Sequence, residues 1–492
     1  MKRAKGTPVA YSSQMARFLP TPHGRLLTAL CPLPSALCLL LTTLCLLPPS
    51  VSALGPHEVL LLANRKSPRS MEIARDYAAM RHIPEENLVA LDLPSNPALE
   101  MSPAEFNAKI WNPACQIVRE RGLDDHILAW VYSVDFPLRI TATPALSIQG
   151  ITFLKGKMPQ KEQVERGTYA SPIFAGPETP RISGFPAQSL DVQNTWLGKD
   201  MPIPSMMLGY IGPNGNTREE IMACLKTGVQ SDRTRPEGTI LILTNSDIRT
   251  LCRAWEFEPA IRELNTKEIT AVMAPIPPTN KEAPLPLSGV MAGAAELPEI
   301  AKGQFRFLPG AIAEHLTSFG AAFDSNGQTK ISEWIRAGAT ASAGTVTEPM
   351  SIWMKFPHAR VFSHQVAGCT MLESLIQSIR CPLQILLMGD PLANPWAPRS
   401  TMSIQGLQEA GLSENTTVTA KIESRNGDVF NRFMFLLDGK TLQALGKSPV
   451  ATLDPATMTS GRHKLRVVAY RTGSVRSQIF VESTFSIVPQ TP

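Results

Sequence analysis

The chain is poor in cysteine, with eight in 492 residues. Cys31, Cys38 and Cys45 fall in an N-terminal apolar run, which leaves Cys115, Cys224, Cys252, Cys369 and Cys381 for the rest. An odd and sparse set of this kind closes at most two disulfides, which excludes a disulfide-built scaffold. No CxxC, HxxxH or mixed Cys/His cluster is present, so no metal site is predicted. Phosphate-binding loops are missing too. The glycine-rich "GYIGPNGNTRE" (209–219) precedes a helix but lacks the Gly-Lys-Ser/Thr of a phosphate loop and the strand–GxGxxG order of a dinucleotide site, so no cofactor is predicted. Aromatic residues make up 6% and no Lys/Arg stripe is interleaved with them, which excludes nucleic acid as a partner.

What is present is globular: 43% apolar and 18% charged residues, enough chain for two or three domains with cores. Lys2, Arg3, Lys5, Arg17 and Arg25 precede an apolar run from Leu26 to Leu47, and Val51-Ser52-Ala53 follows. This order predicts a secretory signal peptide over residues 1–53. The alternative is an uncleaved anchor helix, but Pro32, Pro34 and the Val-x-Ala site favour cleavage, with no stable membrane span afterwards. The basic region is long for a signal, and a start at Met15 is a second alternative. None of the three early cysteines follows Gly, Ala or Ser, which argues against a lipoprotein anchor. The net charge of +5 belongs to this segment, since the 47 Lys/Arg less these five balance the 42 Asp/Glu.

Beyond it, "HEVLLLAN", "NLVALDL" and "ILAWVYSVDFPLRI" are apolar runs of strand length separated by helical patterns at 69–84 and 103–122. Strand alternating with helix predicts a doubly wound, mostly parallel α/β sheet over 54–400, of flavodoxin-like or caspase-like type. Residues 141–207 are Pro-rich and aperiodic and read as an excursion from that sheet. Regularity returns with the capping box Thr217/Glu220 and the strand "GTILILT". From 401 to 492 alternating strands with Asp438-Gly439 and other turn signals predict an all-β, immunoglobulin-like sandwich.

The run "IRAGATASAGTVTEP" (335–349) predicts a strand of small residues that lets neighbouring backbone approach closely. Carboxyl ends of strands rim the binding crevice of an open parallel sheet. Thr345 and Glu348, with Asp135 and Asp390 at the ends of their own strands, are therefore the candidate binding rim. His315 and Ser318, in "PGAIAEHLTSFGA", are the candidate catalytic pair, with helix-terminal hydrogen bonding as the plainer reading of both. Each cysteine beyond the signal reads as a small buried residue or half of a disulfide.

The blocks "VLLLANRKSPRSMEIARDYAAMRHIPEENLVALDLP", "VYSVDFPLRI", "HLTSFG", "GATASAGTVTEP" with "KFPH", and "LLMGDPLANPWAP" resemble, in the same order over residues 56–398, an uncharacterised family of exported bacterial proteins. That resemblance implies export, to the periplasm, cell surface or medium, and an α/β fold. More remotely, the layout is similar to gingipain-type cysteine peptidases of caspase-like fold. In those a His-Gly pair ends one strand and a Cys the next; the matching places here are Ala292-Gly293 and residues 308–320, which hold neither His-Gly nor Cys. The expectation is a non-catalytic binding or envelope protein on a peptidase-like scaffold, its partner a protein or envelope ligand. The alternative is a hydrolase using a non-cysteine constellation around His315.

Overall fold

The structure, a computed structural model, describes residues 51–180, 184–278, 285–408 and 411–487. The expected signal peptide lies outside them, apart from Val51 to Ala53. Ten strands build the main sheet: β1 (Val59–Asn64), β2 (Leu88–Leu91), β3 (Ala129–Tyr132), β4 (Ser205–Met207), β5 (Thr239–Thr244), β6 (Ala271–Pro275), β7 (Pro286–Gly293), β8 (Arg306–Leu316), β9 (Ala341–Thr345) and β10 (Ile385–Gly389). Their order across the sheet is β6-β5-β7-β8-β9-β10-β4-β3-β1-β2. Neighbours from β6 to β9 are parallel, as are those from β4 to β2. Antiparallel β10 lies beside β9 and meets β4 through the pair Met388–Met207.

Both blocks place their first four strands in the order second, first, third, fourth, so strand order reverses at β1 and again at β5. Alternation sends Leu61, Ala63 and Val131 to one core, with Ile73 and Tyr77 of helix α1 (Pro68–Arg81). It sends Leu60, Leu62, Trp130 and Tyr132 to another, with Val118 of helix α2 (Asn112–Arg121). Helices therefore cover both faces, as continuous apolar strands require.

The excursion predicted over 141–207 is more integral than its composition suggests. It contains helix α3 (Ile148–Phe153), buried throughout, whose Gln149 side chain bonds both backbone groups of Leu387 at 2.7 and 2.8 Å. It ends in β4, an interior strand of the sheet between β10 and β3. The chain continues through α4 (Arg218–Ser231), opened by the Thr217/Glu220 capping box, α5 (Ile248–Leu251), α6 (Phe257–Asn265), α7 (Ile331–Arg336), α8 (Val361–Val366) and α9 (Met371–Gln377).

The last segment packs two antiparallel sheets face to face. One holds β11 (Thr401–Gln405), β12 (Thr416–Glu423) and β15 (Val450–Leu453); the other holds β13 (Phe430–Leu437), β14 (Lys440–Gly446), β16 (Gly461–Arg471) and β17 (Gln478–Ile487). Val418 and Ala420 from the first meet Phe435, Val467 and Ile479 from the second in one apolar core. A two-residue strand, Val51–Ser52, adds to the edge of β17.

This sandwich docks on the main domain through buried polar contacts. The Tyr470 hydroxyl lies 2.9 Å from His57 Nε2 and donates to Glu58 Oε1 at 3.2 Å. Gln478 donates to Glu58 Oε2 at 2.8 Å and to the Ala53 carbonyl at 2.9 Å. Arg466, stacked over Phe480, donates to the His82 carbonyl and to Glu482. Burial pushes the Glu58 carboxyl well above its usual range and the His57 imidazole well below its own, the latter helped by Arg466 and His126.

Candidate functional site

The two places where strand order reverses are built alike. Asn64 ends β1 and donates through Nδ2 to the Asp135 carbonyl beyond β3 at 3.1 Å, while its Oδ1 accepts from Lys66 N. Asn245 follows β5 and donates to the Gly293 carbonyl at the end of β7 at 3.1 Å, while its Oδ1 accepts from Asp247 N. In each case a short polar side chain clamps two diverging strands and starts a turn into a helix.

At the first reversal Asp135, in a left-handed backbone conformation, holds Ser67 Oγ at 2.5 Å and the Arg69 guanidinium through two contacts of 2.7 Å. Asp390 is held at the other end of α1. It accepts from Tyr77 at 2.8 Å and pairs with Arg81, which also reaches Asp232 at 2.5 Å. About 18 Å of helix rise separates Arg69 from Arg81, so these two carboxylates do not converge. Nor does Glu348 join Asp390: Thr345 pairs with Ile385 at the start of β10, and Asp390 follows its end. Glu348 is exposed and accepts from Met350 N at 2.8 Å. Thr345 is buried and donates to the Thr317 and Ser318 carbonyls at 3.1 and 3.0 Å. The four side chains proposed as a common rim thus serve separate structural contacts.

His315 lies on β8, an eleven-residue strand and not a helix end. Its Nδ1 accepts from Trp334 Nε1 at 2.8 Å, and Nε2 therefore carries the proton and donates to the Thr329 carbonyl at 3.1 Å. With both nitrogens engaged and burial lowering its pKa to about 3, it has no lone pair for Ser318. Neighbouring Glu314 pairs with Arg253 at 2.8 Å, both fully buried.

The mouth between β7 and β8 is closed by close packing. At Gly293 an added Cβ would overlap the backbone of Arg249 and Thr250 in α5. Thr317, just past β8, is buried and donates to Gln328 Oε1 at 2.6 Å. All five described cysteines are free; burial raises every one of their thiol pKa values, Cys381 to about 11. None is poised as a thiolate. Among the described residues no group of three His, Cys, Asp or Glu is placed to hold a metal ion. No described helix is long and apolar enough to cross a membrane.

A more open arrangement lies beside the second reversal, where α6 begins. A cleft of about 330 Å³ is walled by Pro177, Pro180, Trp255, Glu256, His358 and Arg360. Glu256 is 1% exposed; its Oε2 accepts from Ala359 N at 3.1 Å and its Oε1 has no partner. Burial lifts this carboxyl to about 8, against the lowering influence of Arg253. His358 is 2% exposed and its Nδ1 accepts from Arg360 N at 3.1 Å, so the proton sits on Nε2, which also has no partner. Its ring stands edge-on to Trp255, centroids 5.4 Å apart. Sequence reasoning noted "KFPH" only as a shared block and did not single out Glu256. The two residues are a hundred positions apart, and no local signal joins them.

No protein-family model matches the chain, and no curated protein matches it. Among solved structures, fibronectin(III)-like modules of Clostridium thermocellum CbhA align at 18% identity over 18% of this chain and 96% of that one, TM-score 0.15. The spore cortex lytic enzyme SleM of Clostridium perfringens aligns at 10% identity over 74% of this chain and 92% of that one, TM-score 0.17. Similarities of this size establish neither a family nor an activity, and the firm conclusion is a mixed α/β chain with a large, mostly parallel sheet and separate antiparallel sheets.

Proposed function

We propose that the protein is an exported, non-catalytic binding protein of the cell envelope, in which a caspase-like α/β scaffold carries an immunoglobulin-like sandwich. The observation that carries this reading is the state of the β7–β8 mouth. Where a cysteine peptidase needs an imidazole and a thiol, this chain has Ala292-Gly293 packed against α5 and a buried, hydrogen-bonded Thr317. The hydrolase alternative has no base to offer at His315.

The test is a thiol-directed, peptide-based activity probe applied to the folded protein at pH 7. No labelling above that of the unfolded control is expected. Stoichiometric labelling of the folded chain, abolished by replacing a single cysteine with alanine, would overturn the reading.

A further inference from the structure

We propose that the chain is cut between Ala53 and Leu54 and that the new Leu54 ammonium is held in a seat formed by Glu58 and Gln478 at the junction with the sandwich. The inference rests on the export half of the reading above and adds what the fold does with the cut end. A leader peptidase hydrolyses the bond after Val51-Ser52-Ala53: the C–N bond breaks, water's oxygen leaves on Ala53 as a carboxylate, and the Leu54 nitrogen takes up both of water's protons. In the folded chain that bond is out of reach, since Ala53 and Leu54 are each 1% exposed, so the cut precedes folding.

The seat is fixed by residues on the mature side of the cut. Leu54 packs in the core shared with Val59 and Leu61. The turn Pro56–Glu58 is closed by Glu58 N donating to the Gly55 carbonyl at 3.0 Å, and Gly55 N donates to Glu58 Oε2 at 2.6 Å. Gln478 Nε2 donates to the same Oε2 at 2.8 Å and to the Ala53 carbonyl at 2.9 Å. Standard bond lengths then put the Leu54 nitrogen within about 6 Å of Glu58 Oε2 and about 5 Å of Gln478 Nε2. Gln478 Oε1 is buried without a partner and lies 2.3 Å from where a Cβ on Gly55 would stand, so it faces the start of this turn. Cutting at Ala53 removes the carbonyl that Nε2 holds and brings an ammonium to acceptors already in place, Gln478 Oε1 and Glu58 Oε2.

The surrounding charge matches a cation. Glu58 is faced by Asp191 of the helix Leu190–Leu197 and by Glu373 of α9, whose Oε1 accepts from Leu190 N at 2.9 Å. His57 at 3.8 Å and Tyr470 of β16 also meet its carboxyl, with Arg466 of β16 near His57. Asp191 is paired with Arg476 at 3.3 Å, whereas among the described residues no Lys or Arg is paired with Glu58 or Glu373. Three buried carboxyls therefore share one guanidinium, and an ammonium beside Glu58 supplies a second positive charge.

The exported protein is sequenced from its amino end, and two chains, beginning at Leu54 and at Val51, are prepared with and without Glu58→Gln. Sequencing should begin at Leu54. Acetic anhydride at pH 7 should acylate the Leu54 amine about tenfold more slowly in the folded chain than in urea, with no such slowing for the Val51 amine, which lies three residues before the seat. Glu58→Gln should lower the melting temperature by about 2–4 °C more in the Leu54 chain than in the Val51 chain, because only the first has a cation to lose its partner. An exported chain that begins elsewhere, a Leu54 amine acylated as fast folded as unfolded, or an equal cost of Glu58→Gln in both chains overturns the proposal. A protein retained in the cytosol with residues 1–53 attached sinks the export reading and this inference with it. A thiol labelled by the activity probe sinks the non-catalytic reading alone and leaves the seat standing.

Discussion

Burial lifts the Glu256 carboxyl from about 4.5 to about 8, and that sets a pH dependence which one substitution removes. Between those values the folded chain keeps a proton that the unfolded chain has released. Glu256 therefore costs stability as pH rises through this window, up to about 1.4 kcal/mol per pH unit. In Glu256→Gln the loss is gone, so the melting-temperature gap between variant and wild type should be larger at pH 8 than at pH 5. An equal gap would show that the carboxyl ionises normally. The Arg253–Glu314 pair makes a second case. Arg253→Met strands a buried carboxylate, itself lifted to about 7, and should cost about 3–5 kcal/mol in urea melts. Adding Glu314→Leu should recover most of that, because two apolar side chains replace two charges; equal loss in both variants would contradict it. Glu256 does not stand out from other charged positions in the sequence, and Glu314 does so only as a neighbour of His315 and Ser318; the burial that sets each apart is tertiary.

The elements of the α/β domain were legible wherever strand and helix periods were unbroken. Helix α7 occupies Ile331–Arg336, and the small-residue run that follows it is strand β9. Its smallness has a cause: a Cβ on Gly344 would lie 2.6 Å from Ile331 Cγ2 and 2.9 Å from the Gly320 carbonyl carbon. β8 was hidden by Pro309, by Gly310 at φ +88, and by Glu314-His315, whose polarity is satisfied only by distant Arg253, Trp334 and Thr329. β4 is three residues long and follows a proline, too short to show a period. The rim residues were misplaced together because strand-end position is legible but the reversal of direction between β9 and β10 is not. Gly293 tests the packing of α5 on β7. Gly293→Ala should cost about 1–3 kcal/mol by calorimetry, since the obstructing atoms are backbone; an unchanged melting temperature would mean that α5 is free to move away.

Across the whole molecule, the sandwich is joined to the main domain by contacts that include one buried imidazole, His57. His57 is buried and held neutral, so the stability of this junction is fully present above the unfolded-state value of 6.5 and declines as pH falls below it, where the unfolded chain takes up a proton that the buried imidazole refuses. Amide protection factors in residues 53–58 and 465–470, which are taken relative to the intrinsic exchange rate at each pH, should therefore fall between pH 7 and pH 5, and Tyr470→Phe should produce the same loosening at pH 7. Unaltered exchange in both would separate docking from this contact. A second link runs through the Pro-rich excursion. The Phe185 carbonyl accepts from Arg360 at the wall of the cleft (3.2 Å), and four residues later Ser189 N donates to the Ser474 carbonyl of the sandwich (3.0 Å). A span of four residues reaches at most about 14 Å and has little slack. The module and the cleft wall are in effect on a short leash: a tug on one is felt by the other before any bond in the sheet gives way.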